Sequence, residues 1–162
     1  MFGKKRLSML EAGAKTPAFE LKELNGATRS IDSILQNGPA LVAFFKIGCP
    51  VCQLTFPYLQ RLAANEAVQV VGISQDEPGV TKNFNQRFGV TFPTLVDEPK
   101  AGYPVSNAFG IDTVPSLFVL EQDGRISKSF AGFSKKDLEA FGERVGVRPF
   151  APDEKVPEFR AG

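Results

Sequence analysis

Two kinds of hydrophobic periodicity alternate along this chain. Residues 40–45, ALVAFF, are continuously apolar and of strand length, and 68–74, VQVVGIS, repeat that pattern. Unbroken apolar runs of this length suit strands covered on both faces. Between them, apolar residues at 51, 54, 58, 59, 62 and 63 give helical spacing from Pro50 to Ala64. Pro57 lies inside that helix, where its missing N–H and its ring predict a kink. The segment 78–88 reads as a helix ended by Gly89, TLV at 94–96 as a short strand, and 104–109 as a helix ending at Gly110. SLFVL (116–120), the Asp123-Gly124 turn and RISKSFAG (125–132) predict a hairpin. A last helix is predicted over 134–145, N-capped by Ser134 with Asp137 near its first turn. Earlier, AFELKEL (18–24) alternates apolar and polar residues before NGA at 25–27, which predicts another hairpin. A short helix follows at 31–36, closed by Asn37-Gly38-Pro39.

Strands alternating with helices, then a hairpin and a last helix, predict an α/β fold with a mixed sheet. Residues 1–15 read as a polar, weakly structured lead-in and 16–146 as one domain. Residues 147–162, with three prolines and no periodicity, read as an extended strap or a disordered end. A chain of 162 residues suits a single domain large enough to bury its own core. Nineteen basic against eighteen acidic residues leave no field to attract nucleic acid or an anionic membrane. No apolar run approaches the ~18 residues of a membrane span. The basic start MFGKKR is followed by apolar residues that Glu11 interrupts before the roughly 7–15 a secretory signal needs. The chain therefore reads as cytoplasmic, or as periplasmic if an export signal has been removed, and as a monomer.

Cys49 and Cys52 are the only cysteines, and the chain contains no His and no Trp. A structural zinc site needs four ligands, commonly Cys and His, so two cysteines without His exclude it; no metal or cofactor is expected. The fifteen Phe read as core filler. A buried strand delivers the chain to Cys49, and a helix begins at Pro50, a residue suited to the first helical position because its missing N–H would have had no partner there. Cys49 therefore sits at or next to the N-cap, where unpaired N–H groups and the helix dipole favour a thiolate. Cys52 lies one turn on, on the same face. Cys49 is thus the candidate attacking thiolate and Cys52 the more buried resolving thiol of a disulfide exchange. Lys46, three residues earlier, is a candidate for further stabilising the thiolate, or a lysine reaching from a strand end into water.

With these residues in place, the sequence resembles the thioredoxin-like superfamily, and within it the TlpA/ResA-like thiol-disulfide oxidoreductases and the related AhpC/TSA redoxins. The resemblance covers roughly residues 14–146. It rests on Thr16-Pro17-Ala18-Phe19, Leu21 and Gly26; Cys49-Pro50-Val51-Cys52 with Phe56-Pro57; Phe88-Gly89, Phe92-Pro93 and Asp97; Phe109-Gly110-Ile111; Val114-Pro115; and Phe118 to Asp123-Gly124. It implies a thioredoxin-like fold, a central mixed sheet flanked by helices with an N-terminal β-hairpin extension. It also implies that Val114-Pro115 is a cis-proline loop facing the cysteines. Substrate contact then falls to Val114 and Pro115, with Gly48 and Pro50 beside the thiol. The partners implied are protein disulfides or dithiols and an upstream thiol reductant.

Three positions depart from the family. Gly48 replaces a tryptophan common in thioredoxins, Ala43 a buried acid, and Thr55 a glutamate, so the proton route of the buried thiol has no obvious occupant. Two other functions compete with the oxidoreductase. A peroxiredoxin-like thiol peroxidase would place Thr or Ser where Lys46 stands, and a charged lysine cannot accept a hydrogen bond. A non-catalytic thioredoxin-like binding module would make the cysteines dispensable.

Overall fold

A computed structural model of the chain describes residues 8–162; the basic start of the chain lies outside them. Seven strands form one mixed sheet: β1 (Glu20–Glu23), β2 (Thr28–Ser30), β3 (Ala40–Phe45), β4 (Gln69–Ser74), β5 (Thr94–Val96), β6 (Ser116–Leu120) and β7 (Ile126–Ala131). Their spatial order is β2-β1-β5-β4-β3-β6-β7. The β3–β4 and β4–β5 pairs are parallel and all others antiparallel. The parallel pairs need crossovers, supplied by helices α2 (Pro50–Leu62) and α3 (Pro78–Phe88). Helix α1 (Ile31–Gln36), α4 (Pro104–Ala108) and α5 (Lys135–Val145) complete the layers.

The two faces of β3 explain its unbroken apolar run. Leu41, Ala43 and Phe45 join a core with Phe56 and Leu59 of α2, Phe84 of α3 and Leu138 of α5. Ala40, Val42 and Phe44 join a second core with Ile31 and Ile34 of α1 and Val105 and Phe109 beside α4. Alternation along the strand sends successive residues to opposite faces, and here both are dry. Phenylalanine fills both layers, with Phe45 4.2 Å from Phe56 on one face and Phe44 5.1 Å from Phe109 on the other.

The hairpins, the helix caps and the strand at 94–96 follow the hydrophobic pattern closely. Ser134 caps α5 through Asp137 N–H, as expected. Helix α2 ends at Leu62, two residues early, and continues through Pro57, which leaves one N–H missing from its ladder. Among the described residues of the lead-in, 8–15, none forms a helix or strand element, yet the backbone there is tied down: Leu10 N–H donates to Phe109 O at 3.0 Å and Gly13 N–H to Ile126 O at 2.8 Å. The tail is an extended strap. It forms a two-residue ribbon of β8 (Phe133–Ser134) with β9 (Phe159–Arg160).

Candidate functional site

Strands β3 and β4 run parallel in the register Phe45↔Ser74, so the residues that follow each emerge at the same edge of the sheet. On one strand this delivers Lys46-Ile47-Gly48-Cys49, and on the other Gln75 and Asp76. The C-terminal edge of parallel strands is where α/β folds commonly bind ligands. Asp76 accepts a hydrogen bond from Ile47 N–H at 2.8 Å, and Gln53 of α2 donates to Ile47 O at 3.0 Å. The loop before the cysteine is thereby gripped at both polar atoms of one peptide residue.

Cys49 is the N-cap of α2, with Pro50 as the first helical residue. Its sulfur accepts from Cys52 N–H at 3.1 Å, and its thiol donates to Val114 O at 3.4 Å. Val114–Pro115 is a cis peptide, and it is Val114 O that lies against the Cys49 sulfur. Cys49 is half-buried, while Cys52 is fully buried in the core that contains Phe56. Burial pushes the Cys52 thiol far above its ordinary value; the hydrogen bond to Cys49 adds to this, and the charge of Asp76 raises it further. A thiol held protonated beside a half-exposed partner is an asymmetric pair. One sulfur is partly open to solvent and the other is shielded from it.

That asymmetry has a measurable signature in stability. The thiol of Cys52 ionises with an ordinary value of 9.0 in the unfolded chain but well above that when folded. Above about pH 9 the unfolded chain therefore releases a proton that the folded chain keeps, and unfolding gains ground. The contribution is intact below that pH and is lost as pH rises toward the folded value, at up to about 1.4 kcal/mol per pH unit. Urea unfolding of the reduced protein between about pH 8 and 11 should show a steeper loss than Cys52→Ser. Parallel curves would contradict the burial of an ionisable thiol.

The remaining predicted site residues fall around this centre. Gly48 and Pro50 are exposed on either side of Cys49, and a side chain at Gly48 would meet nothing within 4 Å. The approach is open where a tryptophan would otherwise stand. Ala43 is buried in the α2-side core, and Thr55 donates to Val51 O at 2.7 Å within its own helix. Neither can move a proton to Cys52. Lys46 is exposed, its ammonium 5.8 Å from the centre of the Tyr103 ring. Among the described residues no hydrogen bond joins it to the sulfur.

Lys46, Cys49, Gln75, Tyr103, Asp112, Val114 and Gly162 line one cavity of about 450 Å³. Sequence reasoning missed Asp76, Gln75 and Gly162. The first two had a signal in the paired apolar runs, since parallel strands bring their following residues to one edge; Gly162 had none. Among the described residues no cluster of three or more His, Cys, Asp or Glu could hold a metal ion, and no helix is long and apolar enough to cross a membrane.

Known proteins resemble this chain in sequence and in fold. The chain is 26% identical over 138 residues to thiol-disulfide oxidoreductase ResA of Geobacillus thermodenitrificans, covering 82% of this chain and 77% of that protein. Its fold is similar to the thioredoxin domain of a thiol-disulfide oxidoreductase from Bacteroides vulgatus, with a TM-score of 0.74 at 21% identity, covering 83% and 97% of the two chains. A secreted disulfide oxidoreductase of Mycobacterium tuberculosis, homologous to DsbE of E. coli, matches with a TM-score of 0.65 at 25% identity, covering 78% and 95%. The fold is thioredoxin-like, as the resemblance implied.

The cytoplasmic expectation is overturned. Relatives of the ResA and DsbE type are extracytoplasmic, membrane-anchored or periplasmic, and the mycobacterial protein is secreted. That expectation rested on the first residues of the chain, which say nothing about what precedes them. A lone CxxC is equally at home in an oxidising compartment. Residues 12–129 match the family model described as AhpC/TSA, and the chain belongs to the AhpC/TSA family as a thiol-disulfide oxidoreductase.

Proposed function

We propose that the protein reduces or exchanges disulfides of protein partners, with Cys49 as nucleophile and Cys52 as resolving thiol. The observation that carries this reading is the Cys49 sulfur at the N-cap of α2, 3.1 Å from Cys52 N–H, with the second sulfur buried behind it. A thiolate at Cys49 keeps that amide donor and gains from the positive end of the helix. It attacks one sulfur of a substrate disulfide, and the other leaves as a thiolate that takes up a proton. Cys52 then loses its proton and attacks Cys49 Sγ. This expels the second substrate thiol and leaves a Cys49–Cys52 disulfide. Two electrons pass to the substrate, and a dithiol or thiol reductant returns them to the pair.

Val114 and Pro115 present backbone and ring to the substrate at the sulfur, with Gly48 and Pro50 forming the open side. Lys46 contributes a solvent-screened positive charge at the rim. The peroxidase alternative draws no support from the site, since the ammonium at that position can only donate. With dithiothreitol in excess, the wild-type protein should accelerate the reduction of insulin, followed by its precipitation, while Cys49→Ser should return the rate to background. Rapid peroxide consumption without insulin reduction would instead favour the peroxidase. Unchanged cellular function in the Cys49→Ser/Cys52→Ser double variant would favour a binding module.

A further inference from the structure

The segment after α5 follows a built course to the reactive sulfur. Arg61 of α2 grips Glu154 with two hydrogen bonds, at 2.6 and 2.8 Å, and donates to Pro149 O at 2.8 Å. Phe150 packs on Tyr58 at 4.8 Å and on Phe133 at 6.0 Å. Lys135 N–H donates to Glu158 O at 3.0 Å, and β9 then pairs with β8. Gly132, at φ 80°, lies beneath Arg160, so closely that an added Cβ would stand 2.3 Å from Arg160 O. Only glycine permits both that backbone angle and that approach. Beyond the ribbon the chain closes on Val114: a Cβ at Gly162 would stand 2.2 Å from Val114 O and 2.9 Å from Thr113 Oγ1. Val114 O is the group that receives the Cys49 thiol, and Gly162 and Cys49 line the same cavity.

Packing does not account for the last four residues. Phe150 and Val156 already cover the core, whereas residues 159–162 are all exposed, Phe159 at 55%. They bury little, yet they lie across the backbone beside the nucleophile. We propose that residues 159–162 are a specificity segment. Lying across the Val114 edge, they leave Cys49 open to small disulfides entering from the Lys46, Gln75 and Asp112 side. They hold off disulfides in extended polypeptide until the segment swings away.

The inference rests on Cys49 being the attacking sulfur. A polypeptide that brings its sulfur to Cys49 must lay flanking residues along Val114, where Gly162 already sits. A small disulfide carries no such flanks. The ribbon has only two residue pairs, and its β9 side is exposed along its length, so that side opens readily, and apparent affinity for polypeptide is lowered by the fraction of molecules closed.

The test uses Arg160→Pro in the full chain. Arg160 is exposed, lies outside the cavity lining and sits opposite Phe133 in the ribbon. Proline there removes a backbone N–H and weakens the pairing. The expected result is a rise of about fivefold in kcat/KM for insulin, with the value for oxidised glutathione held within about twofold. An unchanged or lower insulin value with steady glutathione turnover would overturn the proposal. A parent protein that reduces neither substrate would overturn the role of Cys49, and the inference with it.

A second measurement needs no change to the ribbon. In the Cys52→Ser protein trapped as a mixed disulfide, hydrogen exchange at the Phe133 amide, opposite Arg160 in the ribbon, should be about tenfold faster with an insulin chain than with glutathione. Equal rates would show that polypeptide binds without displacing the segment, against the proposal.

Discussion

Cys52→Ser is expected to lower steady-state disulfide turnover by about 100-fold or more and to accumulate a mixed disulfide through Cys49. In the proposed exchange the second step is intramolecular, because Cys52 is one helical turn away and its backbone N–H already touches the Cys49 sulfur. Removing the thiol leaves only dissolved thiols to complete the reaction, and held neighbours outperform dissolved ones by large factors. Serine keeps the shape of a side chain with no exposed surface and is only slightly smaller, so the fold has little cavity to absorb. Under non-reducing electrophoresis, the variant incubated with a protein disulfide should run as a covalent adduct that dithiothreitol releases. Cys49→Ser should give no adduct, because its remaining thiol is buried and held protonated. An adduct with Cys49→Ser and none with Cys52→Ser would reverse the two roles.

Most of this arrangement was legible in the chain because its determinants are local. Strand β3 announces itself by an apolar run covered on both faces, and Pro50 marks the start of α2, which fixes Cys49 at the cap. The residues that complete the site are not local. Asp76 meets Ile47 across 29 positions, and Cys49 meets Val114 across 65. The first contact follows only when β3 and β4 are known to be parallel and in register, and the second only from the family resemblance.

The tail illustrates the limit more sharply. Its prolines and charges carry no periodicity, yet Arg61 and Glu154, 93 positions apart, pin it to α2. An exposed ion pair contributes little by itself. What fixes the course of the strap is the sum of that pair, the Phe150 contact on Tyr58 and the close approach over Gly132. None of these has a pattern within a short window of sequence. The hydrophobic pattern therefore positions Cys49, while the course of the tail depends on contacts that only the folded chain brings together.

Phe56→Ala is expected to be the most destabilising of the simple core truncations near the site, at roughly 3–5 kcal/mol. Phe56 has no exposed surface and lies one turn beyond Cys52 on α2. Its ring centre is 4.2 Å from that of Phe45, 5.6 Å from Phe84 and 5.8 Å from Phe92. These rings tie α2 to the central strand, to α3 and to the turn before β5. They cannot all collapse into the vacated space, because each is fixed to a different element. The loss combines the transfer energy of the ring with the cavity left behind, and aromatic contacts add to it. For a chain of this size the melting temperature should fall by roughly 10 °C. Phe159→Ala, exposed and in the tail, should stay within about 0.5 kcal/mol of the parent. Below its lowered melting point, Phe56→Ala should still form the Cys49 adduct, since Pro50 and the cap are untouched. Thermal unfolding of the two variants side by side checks the core assignment, and similar melting temperatures would show that the α2 layer is not packed as described.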